Sequence, residues 1–190
     1  MKQKGKDTKE RIKREAHWLF SEKGFKLVTM KDICDATGLS RGGLYRYYSS
    51  TGEILDELLN GSYSLDENIK NGESATEILE MYLARLKSEM LDTKASLSLA
   101  IYEYANLGNE EKFIGGTDVA VKRWNKLIEY GISTDEFNRV NPSQITDVIL
   151  YSYQGVRMWS RIIPLGEETV EHIVETIRFL LLKRRNEADV

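Results

Sequence analysis

Apolar residues recur at the three- and four-residue spacing of amphipathic helices along most of the chain, and polar helix-start signals precede many of these runs. No stretch alternates with period two, so the pattern predicts an all-α protein. In the first quarter it predicts short helices, which begin at Asp7, Thr29, Ser40 and the capping box Ser50-Thr51-Gly52-Glu53. The first of these should end near Lys23-Gly24, where glycine can adopt the left-handed conformation.

Longer helices are predicted after residue 60, and the whole chain is predicted to contain about nine helices. The expected segments are one beginning at Ser74, 96–106, 118–130, 141–163 and 167–185. Gly115-Gly116 is expected to interrupt the chain before the third of these, and Ser133-Thr134-Asp135-Glu136 is expected to cap a single turn. Short helices in the first quarter and longer ones afterwards predict two domains, residues 1–50 and 51–190.

Composition narrows the class of protein. The 190 residues are 41% hydrophobic and 30% charged, as in a folded globular protein, and their longest apolar runs are too short to cross a bilayer. No signal peptide is apparent, which predicts a cytoplasmic location. One cysteine and two histidines offer no disulfide, metal site or nucleophile–base pair, so we expect no cofactor, no metal and no enzymatic activity.

The net charge of −3 is distributed unevenly. Residues 1–50 carry a balance of +6 and residues 51–190 a balance of −9. A basic segment on an acidic body is typical of a module that meets a polyanion, although a solvated lysine-rich tail would give the same numbers. Charge alone leaves nucleic acid and membrane both open.

Residues 29–48, TMKDICDATGLSRGGLYRYY, predict two short helices joined by a tight turn at Thr37-Gly38-Leu39. Ile33, Cys34 and Leu44 should point inward, with Cys34 as a buried, inert thiol. This is a helix-turn-helix, whose second helix enters the major groove of DNA. Its exposed positions are Ser40, Arg41, Gly42, Gly43, Tyr45, Arg46 and Tyr47. Arginine suits the guanine edge, whereas serine and tyrosine hydroxyls suit phosphate oxygens.

Gly42-Gly43 leaves two interpretations open. Glycine inside a helix costs about 1 kcal/mol relative to alanine. The absent side chains could let the backbone approach the groove, or the helix could simply start later.

The segment resembles the TetR family of bacterial transcriptional repressors. The match begins at Ile12, continues through Ala16, Leu19-Phe20 and Gly24-Phe25, and is strongest from Thr29 to Leu55. The resemblance implies that Thr29 and Ser40 cap their helices and touch phosphates. It also implies contacts with base edges or the DNA backbone from Arg41, Gly43, Tyr45 and Tyr47.

Two positions depart from the family pattern. Thr51 stands where the family usually has a lysine that grips the DNA backbone, and Gly52 stands in place of a usual acidic residue. The loss of one phosphate contact should lower the salt dependence by about one counterion per half-site. The candidates for compensation are Lys2, Lys4, Lys6 and Lys26.

The last two helices carry broad apolar stripes, which the resemblance assigns to a four-helix dimer interface. The alternative is that both stripes face the core of the monomer. The candidate interface residues are Val148, Val156, Trp159, Ile173, Ile177 and Leu181. A symmetric dimer would double the contacts on a palindromic operator.

Aromatic residues are frequent in the middle of the chain, where they could line a pocket for an apolar or aromatic small molecule or simply form the core. The candidate pocket residues are Tyr82, Met90, Tyr102, Trp124, Tyr151 and Met158. Glu89 and Glu103 could serve a cationic ligand if they are not merely exposed.

Together these observations predict a homodimeric transcriptional repressor that binds an inverted-repeat operator in double-stranded DNA and is released by an unidentified small-molecule effector. An architectural DNA-binding protein without a ligand is the alternative. A small helical enzyme with an incidental basic tail is the third possibility.

Overall fold

The structure, a computed structural model, describes residues 2–59 and 65–183, with side chains from residue 5 onward. These residues form α-helices and one short 3-10 helix at Thr93–Ala95, and the described ranges contain no strand. The α-helices are α1 (Lys2–Lys23), α2 (Met30–Thr37), α3 (Arg41–Tyr45), α4 (Thr51–Leu59), α5 (Leu65–Lys70), α6 (Ala75–Leu91), α7 (Ser98–Ala105), α8 (Glu110–Ser133), α9 (Pro142–Trp159) and α10 (Glu167–Leu181). The predicted all-α class is confirmed.

The described chain packs into two units. The first contains residues 2–59 and 94–113, and the second contains residues 65–93 and 114–183. This division by packing differs from the predicted boundary between residues 50 and 51, because both α4 and α7 pack against α1. The predicted boundary concerns function and stays a prediction.

The first unit has its own hydrophobic core, to which α7 contributes together with the four helices at the start of the chain. Its buried residues are Ile12, Ala16, Leu19, Phe20, Val28, Ile33, Leu44, Tyr48, Ile54, Leu55, Leu97, Ala100 and Tyr104. Cys34, predicted to be buried, is only half-buried and packs against this core.

The second unit encloses a separate core formed by α5, α6, α8, α9 and α10. Its largest fully buried side chains include Phe137, Ile78, Leu79, Leu83 and Met90. A capping box at Ser74 and Glu77 starts α6 as predicted, and Asn141 with Pro142 starts α9 as predicted.

The connection between α8 and α9 folds back onto its own unit. The Glu136 carboxylate accepts hydrogen bonds from the backbone N–H groups of Ala75 (3.0 Å) and Thr76 (2.9 Å) at the start of α6. Phe137 is fully buried against Gly131, where an added Cβ would overlap the phenyl ring. The predicted single turn at residues 133–136 is therefore wrong: this segment caps another helix instead of forming one.

Three further helix predictions are corrected. α1 begins at Lys2 and not at Asp7, since lysine and glutamine extend a helix already anchored by Ile12. α8 runs through Gly115-Gly116 without a break, because its second half is fixed in the core at Trp124 and Leu127. α5 was not predicted, although Ser64 and Glu67 have the spacing of a capping box in the sequence.

Candidate nucleic-acid interface

The α2–turn–α3 segment has the predicted helix-turn-helix geometry. Thr29 caps α2 through its hydroxyl, which accepts from the Asp32 N–H at 3.2 Å, while the Asp32 carboxylate accepts from the Thr29 N–H at 2.8 Å. Gly38 ends α2 in the left-handed conformation (φ 66°), as a tight turn requires. Ile33 on α2 and Leu44 on α3 are fully buried, so both helices pack on the core of the first unit.

The cap of α2 is ionised over a wide pH range. Hydrogen bonds from the Thr29 hydroxyl and backbone N–H lower the pKa of Asp32 below its usual value. A carboxylate in the first turn also interacts favourably with the positive end of the helix dipole. The start of the helix-turn-helix is therefore locally well defined.

The outward surface of α3 carries the predicted DNA-contacting residues. Ser40, Arg41, Gly42, Tyr45 and Arg46 are exposed. The Arg41 guanidinium carbon lies 5.6 Å from the centre of the Tyr45 ring. This contact with the ring does not use the hydrogen-bond donors of the exposed arginine.

The remaining predicted contacts lie at the border of this surface. Thr29 is exposed, whereas Gly43 and Tyr47 are half-buried and Tyr47 packs against the core of the first unit. The Ser40 hydroxyl oxygen accepts from the Gly43 N–H at 3.1 Å and caps α3. Its own hydrogen stays available as a donor.

The two interpretations of Gly42-Gly43 are separated by the start of α3. The helix begins at Arg41 and contains both glycines, so a late start is wrong. A Cβ on Gly42 would meet nothing within 4 Å, and one on Gly43 would meet the Ser40 hydroxyl at 3.2 Å. Space within the chain therefore does not require glycine at position 42, whereas a side chain at position 43 would press on the Ser40 hydroxyl that caps α3. The approach of the backbone to the DNA groove stays a prediction.

The start of α4 also follows from local hydrogen bonds. The Ser50 hydroxyl accepts from the Glu53 N–H at 3.1 Å, and the Glu53 carboxylate accepts from the Ser49 N–H at 2.6 Å. These bonds from Ser49 lower the pKa of Glu53. The Glu53 carboxylate thus accepts from Ser49 and not, as the predicted capping box requires, from Ser50. Thr51 is half-exposed at the first position of α4.

The structure describes the side chains of only some of the lysines that were suggested to compensate for the absence of a lysine at position 51. Lys6 and Lys26 are exposed, whereas the side chains of Lys2 and Lys4 lie outside the described residues. The role of these lysines stays a prediction.

The predicted pocket residues do not all come together. Trp124 and Met90 are buried in the core of the second unit, and Tyr82 meets Trp124 edge-on with ring centres 5.5 Å apart. Met158 is half-buried. Tyr102 belongs to the first unit and is 60% exposed, and Tyr151 is 76% exposed, so the structure brings neither to this cluster.

The two glutamates considered for a cationic ligand already have partners. Glu89 accepts hydrogen bonds from the Arg85 guanidinium and from the Tyr153 hydroxyl, both at 2.6 Å. Burial raises the pKa of Tyr153 to about 12, so this phenol stays a donor to Glu89. Glu103 accepts from the backbone N–H of Lys26.

The predicted dimer residues divide into two groups. Val156, Ile177 and Leu181 are buried in the core of the second unit, so these three candidates agree with the alternative of a stripe that faces the core of the monomer. Ile173 is half-buried, whereas Val148 and Trp159 are 46% and 55% exposed. α9 and α10 carry apolar residues on a buried face and on an exposed face. The stripes predicted from the sequence combined residues of both faces.

Sequence analysis missed the outer stripe of α9 as a continuous feature. Val148, Tyr151, Gly155 and Trp159 follow one another at spacings of three, four and four residues, which places them on one face of the helix. The three side chains are exposed, and a Cβ on Gly155 would meet nothing within 4 Å. The exposed Ile162 continues this outer stripe just beyond the helix end. The spacing itself was the signal that could have revealed it.

Comparisons with known proteins agree with this geometry. The family model "Bacterial regulatory proteins, tetR family" matches residues 12–58. The HTH-type transcriptional regulator YfiR of Bacillus subtilis is 33% identical over 138 residues, which cover 67% of this chain and 66% of YfiR. The HTH-type transcriptional repressor KstR2 of Rhodococcus jostii is 29% identical over 175 residues, covering 86% of this chain and 84% of that protein.

Solved structures show the same fold at low identity. The ketosteroid transcriptional regulator KstR2 of Mycobacterium tuberculosis has a TM-score of 0.64 at 19% identity and covers 93% of this chain and 95% of its own. A TetR transcriptional regulator from Chloroflexus aurantiacus has a TM-score of 0.70 at 20% identity, covering 95% of this chain and all of that one.

None of the described helices is both long and apolar enough to span a membrane. The names of these relatives describe transcriptional regulators, in agreement with the expectation of a non-enzymatic protein. The family model covers the whole helix-turn-helix, and the structural likeness extends over more than nine-tenths of the chain. The chain belongs to the TetR family of bacterial transcriptional regulators.

Proposed function

We propose that this protein is a homodimeric transcriptional repressor that binds an inverted-repeat operator through α3 and is released by a small molecule. The observation that carries the proposal is the helix-turn-helix with Leu44 buried beneath α3 and with polar and basic side chains on its outer surface. Action on DNA would place the protein in the bacterial cytoplasm.

Arg41 is the residue best suited to read a base. Its exposed guanidinium, stacked at 5.6 Å on Tyr45, can donate two parallel hydrogen bonds to guanine O6 and N7. Gly42 adds no side chain beside it, so the backbone can approach the groove. Ser40 and Tyr45 present hydroxyl groups suited to phosphate oxygens, which fix position but not sequence. The Thr29 hydroxyl already donates to the Asp32 carboxylate and would have to release it to bind a phosphate.

The outer stripe of α9 supports the homodimer. An exposed run of Val148, Tyr151 and Trp159 around an unobstructed Gly155 is suited to pack on a second copy of the same helix. Because one recognition helix reads only a half-site, a two-fold axis through this stripe would present two of them to an inverted repeat.

The cluster of Tyr82, Trp124 and Met90 supports an effector site in the second unit. The Tyr82 hydroxyl is buried and makes no hydrogen bond with any described residue. A buried hydroxyl without a partner costs about 1–3 kcal/mol, which a bound ligand with an acceptor group would recover. An apolar or aromatic molecule with one polar group fits this combination of an aromatic pair, a methionine and a hydroxyl without a hydrogen-bond partner among the described residues.

The experiment is selection of bound sites from random duplex DNA at near-physiological salt, using the full-length protein. Enrichment of one inverted repeat is expected, because a symmetric dimer binds two equivalent half-sites. The Arg41→Ala variant should lose the selectivity for one base pair per half-site, whereas Arg139→Ala, which removes an exposed arginine of the second unit, should select the same sequence. Recovery of DNA without a shared motif would support an architectural protein instead, and recovery of none would refute DNA binding.

A further inference from the structure

Helix α7 occupies an unexpected place in the first unit. It follows α4 by about forty residues in sequence, yet Leu97, Ala100 and Tyr104 complete the core beneath α1 and α4. Two consecutive residues of its last turn, Glu103 and Tyr104, reach two different parts of that unit.

Glu103 holds the turn between α1 and α2. Its carboxylate oxygen Oε2 accepts from the backbone N–H of Lys26 at 2.9 Å. Gly24, which has φ +77° at the end of α1, leaves room for this carboxylate, because a Cβ there would lie 2.6 Å from the same oxygen. Met30, the first residue of α2, is only four positions beyond Lys26.

Tyr104 holds the start of α4. Its hydroxyl lies 3.4 Å from the Asp56 carboxylate and accepts from the Lys112 ammonium group at 2.9 Å, and Lys112 also pairs with Asp56 at 2.7 Å. A Cβ on Gly52 would come within 2.8 Å of the Tyr104 hydroxyl oxygen, so a residue larger than glycine does not fit there. An acidic side chain at position 52 would overlap the Tyr104 phenol.

The Tyr104 ring also links the two anchors, which are the contact of Glu103 with the α1–α2 turn and the contact of Tyr104 with the start of α4. The Tyr104 ring lies 4.5 Å from that of Phe25, which sits in the α1–α2 turn beside Gly24. The two anchors flank the helix-turn-helix in sequence, one ending four residues before Met30 and the other starting seven residues after Tyr45. One turn of α7 therefore restrains both ends of the segment that carries the recognition helix.

We propose that Glu103 and Tyr104 are positioning residues for operator binding, which act by fixing the α1–α2 turn and the start of α4 around the helix-turn-helix. The proposal rests on the proposed function for its DNA readout. Neither residue needs to touch DNA: each sets the placement of α3 through the backbone on either side of it.

The test compares operator affinity and its salt dependence among variants of the full-length protein. Gly52→Ala should weaken operator binding about tenfold, because the added methyl group displaces the Tyr104 ring or α4. Tyr104→Leu, which removes the hydroxyl and the ring, should weaken binding by a similar factor. The double variant Gly52→Ala/Tyr104→Leu should be no weaker than either single variant, because both substitutions act through the same contact. Tyr102→Phe, which changes an exposed tyrosine on the same helix, is the matched control and should bind as the wild type.

A second pair of variants probes the other anchor. Glu103→Ala should weaken binding by a similar factor, whereas Glu103→Gln retains an acceptor for the Lys26 N–H and should bind nearly as the wild type. Circular dichroism and thermal melting of each variant establish that it is folded. In every positioning variant the slope of log K against log salt should remain that of the wild type, whereas a lost phosphate contact would lower it by about 0.9 for each phosphate.

Amide hydrogen exchange supplies a readout that does not depend on DNA. The Lys26 N–H should be protected in the wild type and in Glu103→Gln, and exposed to exchange in Glu103→Ala. Wild-type affinity in Gly52→Ala, Tyr104→Leu and Glu103→Ala alike, fully additive losses in the double variant, or a reduced salt slope would overturn the proposal. If the wild type selects no operator, the proposed function fails, and unchanged protection of Lys26 in Glu103→Ala would independently refute the contact of Glu103 with the α1–α2 turn.

Discussion

The Glu136 carboxylate offers a direct measure of what the α8–α9 connection contributes to the second unit. The substitution Glu136→Gln keeps the size of the side chain and one acceptor oxygen but removes the charge that receives the N–H groups of Ala75 and Thr76. A hydrogen bond to a charged group contributes about 1.5–3 kcal/mol, and a negative charge at a helix N-terminus about 0.3–1 kcal/mol. Because one acceptor is retained, the expected loss in the free energy of unfolding is about 2 kcal/mol.

Urea unfolding followed by tryptophan fluorescence measures this loss. In a Trp18→Phe background the two remaining tryptophans, Trp124 and Trp159, both report on the second unit. The exposed Glu129 on α8 supplies the matched control, since Glu129→Gln removes the same charge and should change the free energy by less than about 0.5 kcal/mol. Equal stability of the Glu136→Gln and Glu129→Gln variants would refute the capping role of Glu136.

The pH dependence gives the sign of the effect. Burial alone would raise the pKa of Glu136, but hydrogen bonds from Thr76, Thr134 and Ala75 outweigh it and lower the pKa below the ordinary glutamate value. The carboxylate therefore stabilises the folded state fully above its unfolded pKa of about 4.3, and this contribution is lost as the pH falls through the lower folded value. The advantage of the wild type over Glu136→Gln should be constant from pH 7 to about pH 5.5 and shrink below about pH 4.3, and an advantage independent of pH would contradict this reasoning.

Three shorter predictions concern the interface, the dimer and the core. Arg41→Ala should weaken binding to the selected operator by about 1–3 kcal/mol per half-site in a titration by fluorescence anisotropy, and an unchanged affinity would remove Arg41 from base contact. Gly155→Arg should produce monomers in light scattering coupled to size exclusion, whereas the adjacent Gln154→Arg should stay dimeric; two dimeric variants would place the interface elsewhere. Phe137→Ala should lower the free energy of unfolding by about 3–5 kcal/mol in urea, because the ring is fully buried against Gly131.

Local signals in the sequence predicted local structure well. The caps at Thr29, Ser74 and Asn141 all form as expected, because each depends only on hydrogen bonds to the next three residues. The helix-turn-helix followed from the same kind of information, since its turn, caps and inward residues lie within twenty positions.

The errors arise where distant parts of the chain decide the outcome. Gly115-Gly116 was predicted to break a helix by propensity alone, whereas the packing of Trp124 further along α8 favours a continuous helix. Val156 and Trp159 fall in one broad stripe in the sequence, yet one is buried and the other exposed, because α9 is apolar on two faces. The contact between Gly52 and Tyr104 joins residues fifty-two positions apart, so no local sequence pattern predicts it.

The discontinuity of the first unit has a consequence for the order of events during synthesis. When the ribosome has made the first 59 residues, the four helices that carry the recognition segment still lack Leu97, Ala100 and Tyr104 from their core. At bacterial elongation rates of about 5–20 residues per second, the missing helix arrives some seconds later. During that interval the apolar surface that α7 will cover on α1 and α4 stays open, and the nascent chain cannot acquire its final fold or compete for DNA as a finished protein. Assembly of the DNA-reading unit is thereby delayed until α6 has also been made.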